Sequence, residues 1–166
     1  MAVRSIVKFP DARLRAVASL VTNFGDDLRQ LADDLLDTMR AAPGVGVTAP
    51  HIGVLQRVVV IELAGFKTPR IYINPEIVWT SSERIEATEG SVSMPGAAEK
   101  MERYATIRVR FQGLDGVERE EEASGFHAVC LQHEIDQLDG VFWIQKLSRL
   151  KRERLIKRYE KHASGR

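Results

Sequence analysis

The chain has 166 residues, 44% of them hydrophobic and 28% charged, with a formal net charge of +1. That length is expected to fold as one domain, residues 1–166, with a core that needs no metal or disulfide staple. No apolar run reaches the roughly 18 residues of a membrane-spanning helix, and the N-terminus lacks the basic-then-apolar order of a secretion signal, so a cytoplasmic address is the expectation.

The one cysteine, Cys130, cannot form an internal disulfide, in keeping with a reducing compartment. Charge is distributed unevenly: residues 146–166 hold nine Lys/Arg against two Glu, while the remainder is net acidic.

After Ile6-Val7-Lys8-Phe9-Pro10, the run from Gly25 to Arg40 puts Leu28, Leu31, Ala32, Leu35, Leu36 and Met39 on one stripe, with Asp residues early and Arg40 late. This predicts an amphipathic helix. Pro43-Gly44-Val45-Gly46 breaks the period. Strands are expected over 57–63, 70–75, 77–79, 84–88, 106–112 and 117–123, with Gly113-Leu114-Asp115-Gly116 as the turn of the last hairpin. A second helix is expected from near Gly125 to near Asp139-Gly140. The basic tail, with Leu147, Leu150, Leu155 and Ile156 between cations, reads as a third. The fold class is therefore α+β: antiparallel or mixed sheet around a central helix, with N-terminal and basic C-terminal helices.

On the central helix, Gln132-His133-Glu134-Ile135-Asp136-Gln137 has the form of a His-Glu-x-x-His zinc-hydrolase motif in which the second histidine is glutamine. Residues four apart share a helix face, so His133 and position 137 would address one metal while Glu134 serves as general base. A glutamine offers only a neutral amide oxygen there. Two further segments stand out: Gly44-Val45-Gly46-Val47-Thr48-Ala49-Pro50-His51-Ile52-Gly53 and Glu89-Gly90-Ser91-Val92-Ser93-Met94-Pro95-Gly96.

Together, in this order, the three segments resemble those of peptide deformylase, the metal-dependent bacterial hydrolase that removes the formyl group from N-terminal methionine. The family's motifs read Gly-x-Gly-Leu-Ala-Ala-x-Gln, Glu-Gly-Cys-Leu-Ser and Gln-His-Glu-x-Asp-His. The resemblance spans nearly the whole chain. It places the cysteine ligand on Ser91, the second histidine ligand on Gln137 and the oxyanion-stabilising glutamine on His51. Val92 falls beside Ser91 in the catalytic set, and Val45, Gly46, Ala87, Glu89, Phe126, Val129 and Cys130 fall on the methionine pocket. Only His133 and Glu134 of the catalytic set are unaltered, while Glu89, Gly90, Ser93, Gln132 and Asp136 match the surrounding frame.

Exchanging thiolate and imidazole for hydroxyl and amide removes several kcal/mol from a binding free energy of roughly 10–16 kcal/mol in structural zinc sites. The resemblance thus implies either no cofactor or a weakly held iron, zinc or nickel ion, and a deformylase-like protein with lost or much reduced activity. An active amidohydrolase with a rebuilt set stays open, using His133, His51 and Ser91 or Gln137 as ligands and Glu134 as base. So does metal-free catalysis by Ser91 with a histidine and a carboxylate. The expected partners are peptides with N-terminal Met or formyl-Met, and the ribosome through the basic tail, but neither membrane nor DNA. Plain core packing is the competing role of the pocket residues.

Overall fold

The computed structural model describes residues 2–164. Helix α1 (Asp26–Ala41) starts with Asp26 and Asp27 against its positive N-terminal dipole and buries Leu28, Leu31, Ala32, Leu35 and Met39. Beyond it Gly44 N–H closes on the Met39 carbonyl, and the chain enters β1 (Gly46–Thr48). Asp34 and Thr38, buried on α1, accept the main-chain N–H groups of Ala2 and Arg4 at 2.8 Å each, which moors the N-terminal segment.

A five-stranded antiparallel sheet runs in the order β1, β2 (Val58–Ile61), β3 (Arg70–Thr80), β6 (Thr106–Gln112), β7 (Glu118–Ser124). Strand β2 is buried throughout because both faces are covered. Val58 and Val60 pack toward α1, while Val59 and Ile61 join the cluster built on α2 (Gly125–Leu138), the period-2 alternation of a pleated strand. Strands β4 (Arg84–Ser91) and β5 (Met94–Tyr104) form a separate antiparallel hairpin. Helix α3 (Arg149–Ser164) packs on β5.

The expected fold class therefore holds, with three differences in its parts. Segments 70–75 and 77–79 are one strand, interrupted by a bulge between Ile73 and Glu76. Asn74 takes φ +51° there, and Pro75 sits where the ladder is already broken. Strand β5 occupies a stretch to which no element was assigned, because its polar composition suits an exposed hairpin rather than a core strand. On α3, Leu155 is buried but Leu150 is exposed, and Leu147 packs from before the helix begins, so the buried stripe is shorter than the spacing suggested. The last two residues of the basic tail lie outside the described part.

Helix α2 buries ten of its fourteen residues, His133, Glu134 and Gln137 among them, because it threads between the sheet and the β4–β5 hairpin. Gly140 ends it at φ +78°, where a Cβ would lie 2.8 Å from the Arg15 carbonyl oxygen.

Candidate active-site cleft

A cleft of about 490 Å³ opens where β1, the β4–β5 turn and α2 converge, and Val45, Gly46, His51, Glu89, Ser91, Val92, Phe126, Val129, Cys130, His133 and Glu134 all line it. Two expected members stand outside. Gln137, one turn beyond His133, donates its amide N–H to the Leu14 carbonyl at 2.7 Å and does not line the cleft. Ala87 pairs with Met101 across the hairpin, leaving Thr88 and Glu89 as the cleft residues of that strand.

The cleft floor is held by a buried ionic network centred on Arg103. Its Nε and Nη2 donate to the two oxygens of Glu89, both at 2.8 Å, and its Nη1 donates to Asp136 at 2.6 Å. This is the bidentate fork that a planar guanidinium makes with a carboxylate. Glu89 Oε1 also lies 2.9 Å from His133 Nδ1. With Nδ1–H donating to that carboxylate, His133 Nε2 remains for the cleft, the orientation seen where a carboxylate positions a ligating histidine.

Burial would raise the Glu89 pKa, but Arg103 and His133 outweigh it and hold the carboxyl down at about 2. Burial would lower that of His133, yet the charges of Glu134 and Glu89 hold it above the usual histidine value. Trp143 stacks on the His133 ring at 6.4 Å. Gln132 fastens the helix to the end of β5, accepting Tyr104 N–H at 3.0 Å and donating to the Tyr104 carbonyl at 2.9 Å.

Glu134 is buried, its pKa raised chiefly by that burial, and its Oε1 has no hydrogen-bond partner. A Cβ on Gly46 would sit 2.6 Å from Glu134 Oε2, so the carboxylate fits only because the β1 residue is glycine.

His51 sits on a short 3₁₀ turn, Ala49–Ile52, where Thr48 N–H donates to His51 Nδ1 at 3.0 Å and the Thr48 hydroxyl lies at the same distance from that nitrogen. Burial, then the neighbouring His133, lower its pKa to about 3, and its Nε2 is buried without a partner. Ser91 Oγ accepts the Ser93 N–H at 3.1 Å. Burial, and then Glu134, push the Cys130 thiol up to about 12, so it is no ready thiolate.

His133 is thus presented as a ligand would be, but its helical partner is turned to the backbone and the hairpin offers only a hydroxyl. Among the described residues, no group of three or more His, Cys, Asp or Glu side chains is placed to hold a metal ion. The donors present do not fit a three-ligand metal centre. Sequence reasoning missed Arg103, Thr48 and Trp143. Arg103 lies fourteen residues from Glu89 in a charged strand with no motif to mark it; the Thr-x-x-His spacing before a turn was the one readable cue to Thr48.

No described helix is long and apolar enough to cross a membrane. The model of the polypeptide deformylase family matches residues 3–153. A peptide deformylase-like protein of Brucella melitensis is 67% identical over 161 residues, covering 97% of this chain and 98% of that one. A peptide deformylase of Phenylobacterium zucineum is 46% identical, covering 99% of each. Among solved structures, a peptide deformylase from Legionella pneumophila superposes with a TM-score of 0.92 at 38% identity, over 98% of this chain and 96% of that one. With sequence, family model and fold in agreement over nearly the full length, the chain belongs to the polypeptide deformylase family.

Proposed function

We propose that this family member has lost most or all metal-dependent deformylase activity and retains a cleft that binds peptide N-termini beginning with methionine, formylated or free. The observation that carries the proposal is Gln137: its side chain is committed to the Leu14 carbonyl and stands outside the cleft in which His133 is presented. A hydrolase of this type needs three protein ligands so that bound water can be activated beside a carbonyl. Here a hydroxyl and an amide replace the two ligands that the family resemblance places at Ser91 and Gln137.

The peptide side of the cleft is better kept. Strand β1 is a sheet edge and its Gly46 lines the cleft, which supports edge pairing with an extended peptide at that residue. Val45, Val129 and Phe126 supply apolar wall for a methionine side chain.

A second reading, a working metal-dependent amidohydrolase, draws support from the retained Glu134 and from the Glu89–His133 bond. It assigns His51, His133 and Ser91 or Gln137 as ligands of iron, zinc or nickel, with Glu134 as base and Val92 beside the reacting carbonyl.

Metal content after anaerobic incubation with iron(II), nickel(II) or zinc(II) and desalting separates the two. The first reading expects no retained metal and no formate release from a formyl-methionyl peptide. About one metal per chain, with turnover abolished by chelator and by Glu134→Gln, would establish the second instead. Under the first reading, the double variant Ser91→Cys, Gln137→His regains metal, and the imidazole at 137 must then leave the Leu14 carbonyl without its donor.

Cys130, a buried free thiol, supports a cytoplasmic setting for the whole chain acting as one domain. The cations of α3, exposed apart from the partly buried Arg152, support docking on an anionic surface such as ribosomal RNA.

A further inference from the structure

A second cavity, of about 600 Å³, shares no residue with the cleft and lies where the N-terminal segment meets the 3₁₀ turn Trp143–Lys146 and the first turns of α3. Its apolar walls are Phe9, Leu14, Phe142, Ile144 and Ile156, with the Phe9 and Phe142 rings stacked at 5.8 Å. One wall is held in place by main-chain contacts: the Leu14 carbonyl accepts the Gln137 amide at 2.7 Å, and the Arg15 carbonyl packs against Gly140. A preformed apolar concavity of this size suits a small organic molecule.

The polar groups of the lining narrow the chemistry of that molecule. Among the described residues, every arginine forms an ion pair with a carboxylate except Arg15, Arg152 and Arg154, and the first two of these line the cavity. Asp11, the one carboxylate in the lining, is taken by Arg13, whose Nε and Nη2 donate to its two oxygens at 3.2 and 2.9 Å. Arg152 is partly buried and makes a long bond, 3.4 Å, from Nη1 to the Leu147 carbonyl. Gln145 accepts Phe142 N–H through Oε1, which leaves its amide N–H groups as further donors. Donors and positive charge without a counter-ion, set among apolar walls, complement a molecule that is apolar at one end and anionic at the other. A cationic head would meet Arg15 and Arg152 with like charge, and a neutral head would leave both without a counter-ion.

We propose that this cavity is a second binding site, for a small amphiphile whose carboxylate or phosphate head meets Arg15 and Arg152 while its apolar body lies against Phe9, Phe142 and Ile156.

Such a ligand bridges the N-terminal segment and α3, so its binding stabilises the docking of the basic helix. The site stands apart from whatever the cleft binds, and the two can fail separately.

Calorimetry on the full chain with octanoate, octyl phosphate, octan-1-ol and octylammonium compares head groups on one body, while acetate and inorganic phosphate test the heads alone. Octanoate or octyl phosphate is expected to bind at one per chain and at least about tenfold more tightly than octan-1-ol, with octylammonium and the two bare anions weaker still. The tighter of the two amphiphilic anions identifies the head group. The double variant Arg15→Gln, Arg152→Gln should lose the preference for an anion at an unchanged melting temperature, since neither side chain is paired with a carboxylate. Amide proton–nitrogen NMR locates the site without any variant: the bound anion should shift Phe9, Arg15, Gln145 and Arg152 and spare Gly44, Gly46 and Gly90 of the cleft. Shifts confined to the cleft, equal binding of the anions and octan-1-ol, or binding of neither anion would overturn the assignment. So would a dimer dissolved by the same two substitutions, which would give the cavity to a second copy of the chain.

Discussion

Arg103 illustrates how much one side chain holds in this cleft. It is 5% exposed and donates from all three guanidinium nitrogens, two to Glu89 and one to Asp136. Replacing it by methionine would strand the Glu89 carboxylate in the interior, a loss of about 3–5 kcal/mol of the kind found when one partner of a buried ion pair is removed. Urea unfolding should show a lowered midpoint at unchanged slope.

Gly46 supports a different argument, from volume. Gly46→Ala pushes a methyl group to 2.6 Å from Glu134 Oε2 and is expected to cost about 1–3 kcal/mol by overpacking. In a Glu134→Ala background the clash disappears, so the double-mutant cycle should recover most of that loss; strict additivity would mean that the backbone, not Glu134, sets the requirement.

Among the elements, α2 carries both the chemistry and the packing, and its C-terminal stop is the point where the two meet. Gly140 holds a left-handed conformation against the Arg15 carbonyl, so Gly140→Ala adds conformational strain to a direct clash with backbone. A loss of about 2 kcal/mol or more is expected from thermal melting, since neither the turn nor the facing main chain can yield cheaply.

The hairpin β4–β5 and helix α1 show opposite degrees of legibility. The apolar stripe of α1 is one-sided and its core contacts follow from spacing alone. Strand β5 alternates weakly because it packs partly against α2 and α3 and not into a continuous sheet core, so its residues carried little periodic signal. The bulge at Asn74-Pro75 hid the continuity of β3 for a related reason. Proline reads as a terminator, yet Asn74 repairs the gap by accepting Val21 N–H and donating to Val21 and Gln112.

At the scale of the whole molecule, buried ionisable groups make stability depend on pH. Glu89 has a folded pKa of about 2 against an ordinary 4.5, so its contribution is fully present above 4.5 and is lost as pH falls toward 2. The shift corresponds to about 3 kcal/mol. His51 stays neutral in the folded state down to about 3, so below 6.5 the unfolded chain takes up a proton that the folded one refuses, and stability falls from there. His133 and Glu134, held above their ordinary values, act with the opposite sign over the same range, so the two losses are read as differences between variant and parent in unfolding free energies measured from pH 7 to pH 3. His51→Gln should flatten the loss that begins near 6.5, and Glu89→Gln the loss below 4.5.

The exposed cations of α3 act at the same scale. If they dock the molecule on ribosomal RNA, co-sedimentation with ribosomes should weaken with added salt and disappear when Lys151, Arg154 and Lys157 become glutamate, with the fold unchanged.

The sequence by itself determined the α+β class, the three helices, the family and the identity of most cleft residues, because those depend on hydrophobic spacing and on short motifs whose order along the chain is visible. It also marked Ser91, Gln137 and His51 as departures, since a change of residue type at a motif position is a change of chemistry wherever the side chain points. Only the tertiary structure decided what those side chains do: Gln137 turns to Leu14, Thr48 N–H meets Nδ1 of His51, and Arg103 reaches Glu89 and Asp136 from another strand. Each of these is a hydrogen-bond choice among several partners of equal local merit. The choice is made by which groups the fold brings to within about 3 Å and leaves without water, a property of chain positions far apart in sequence.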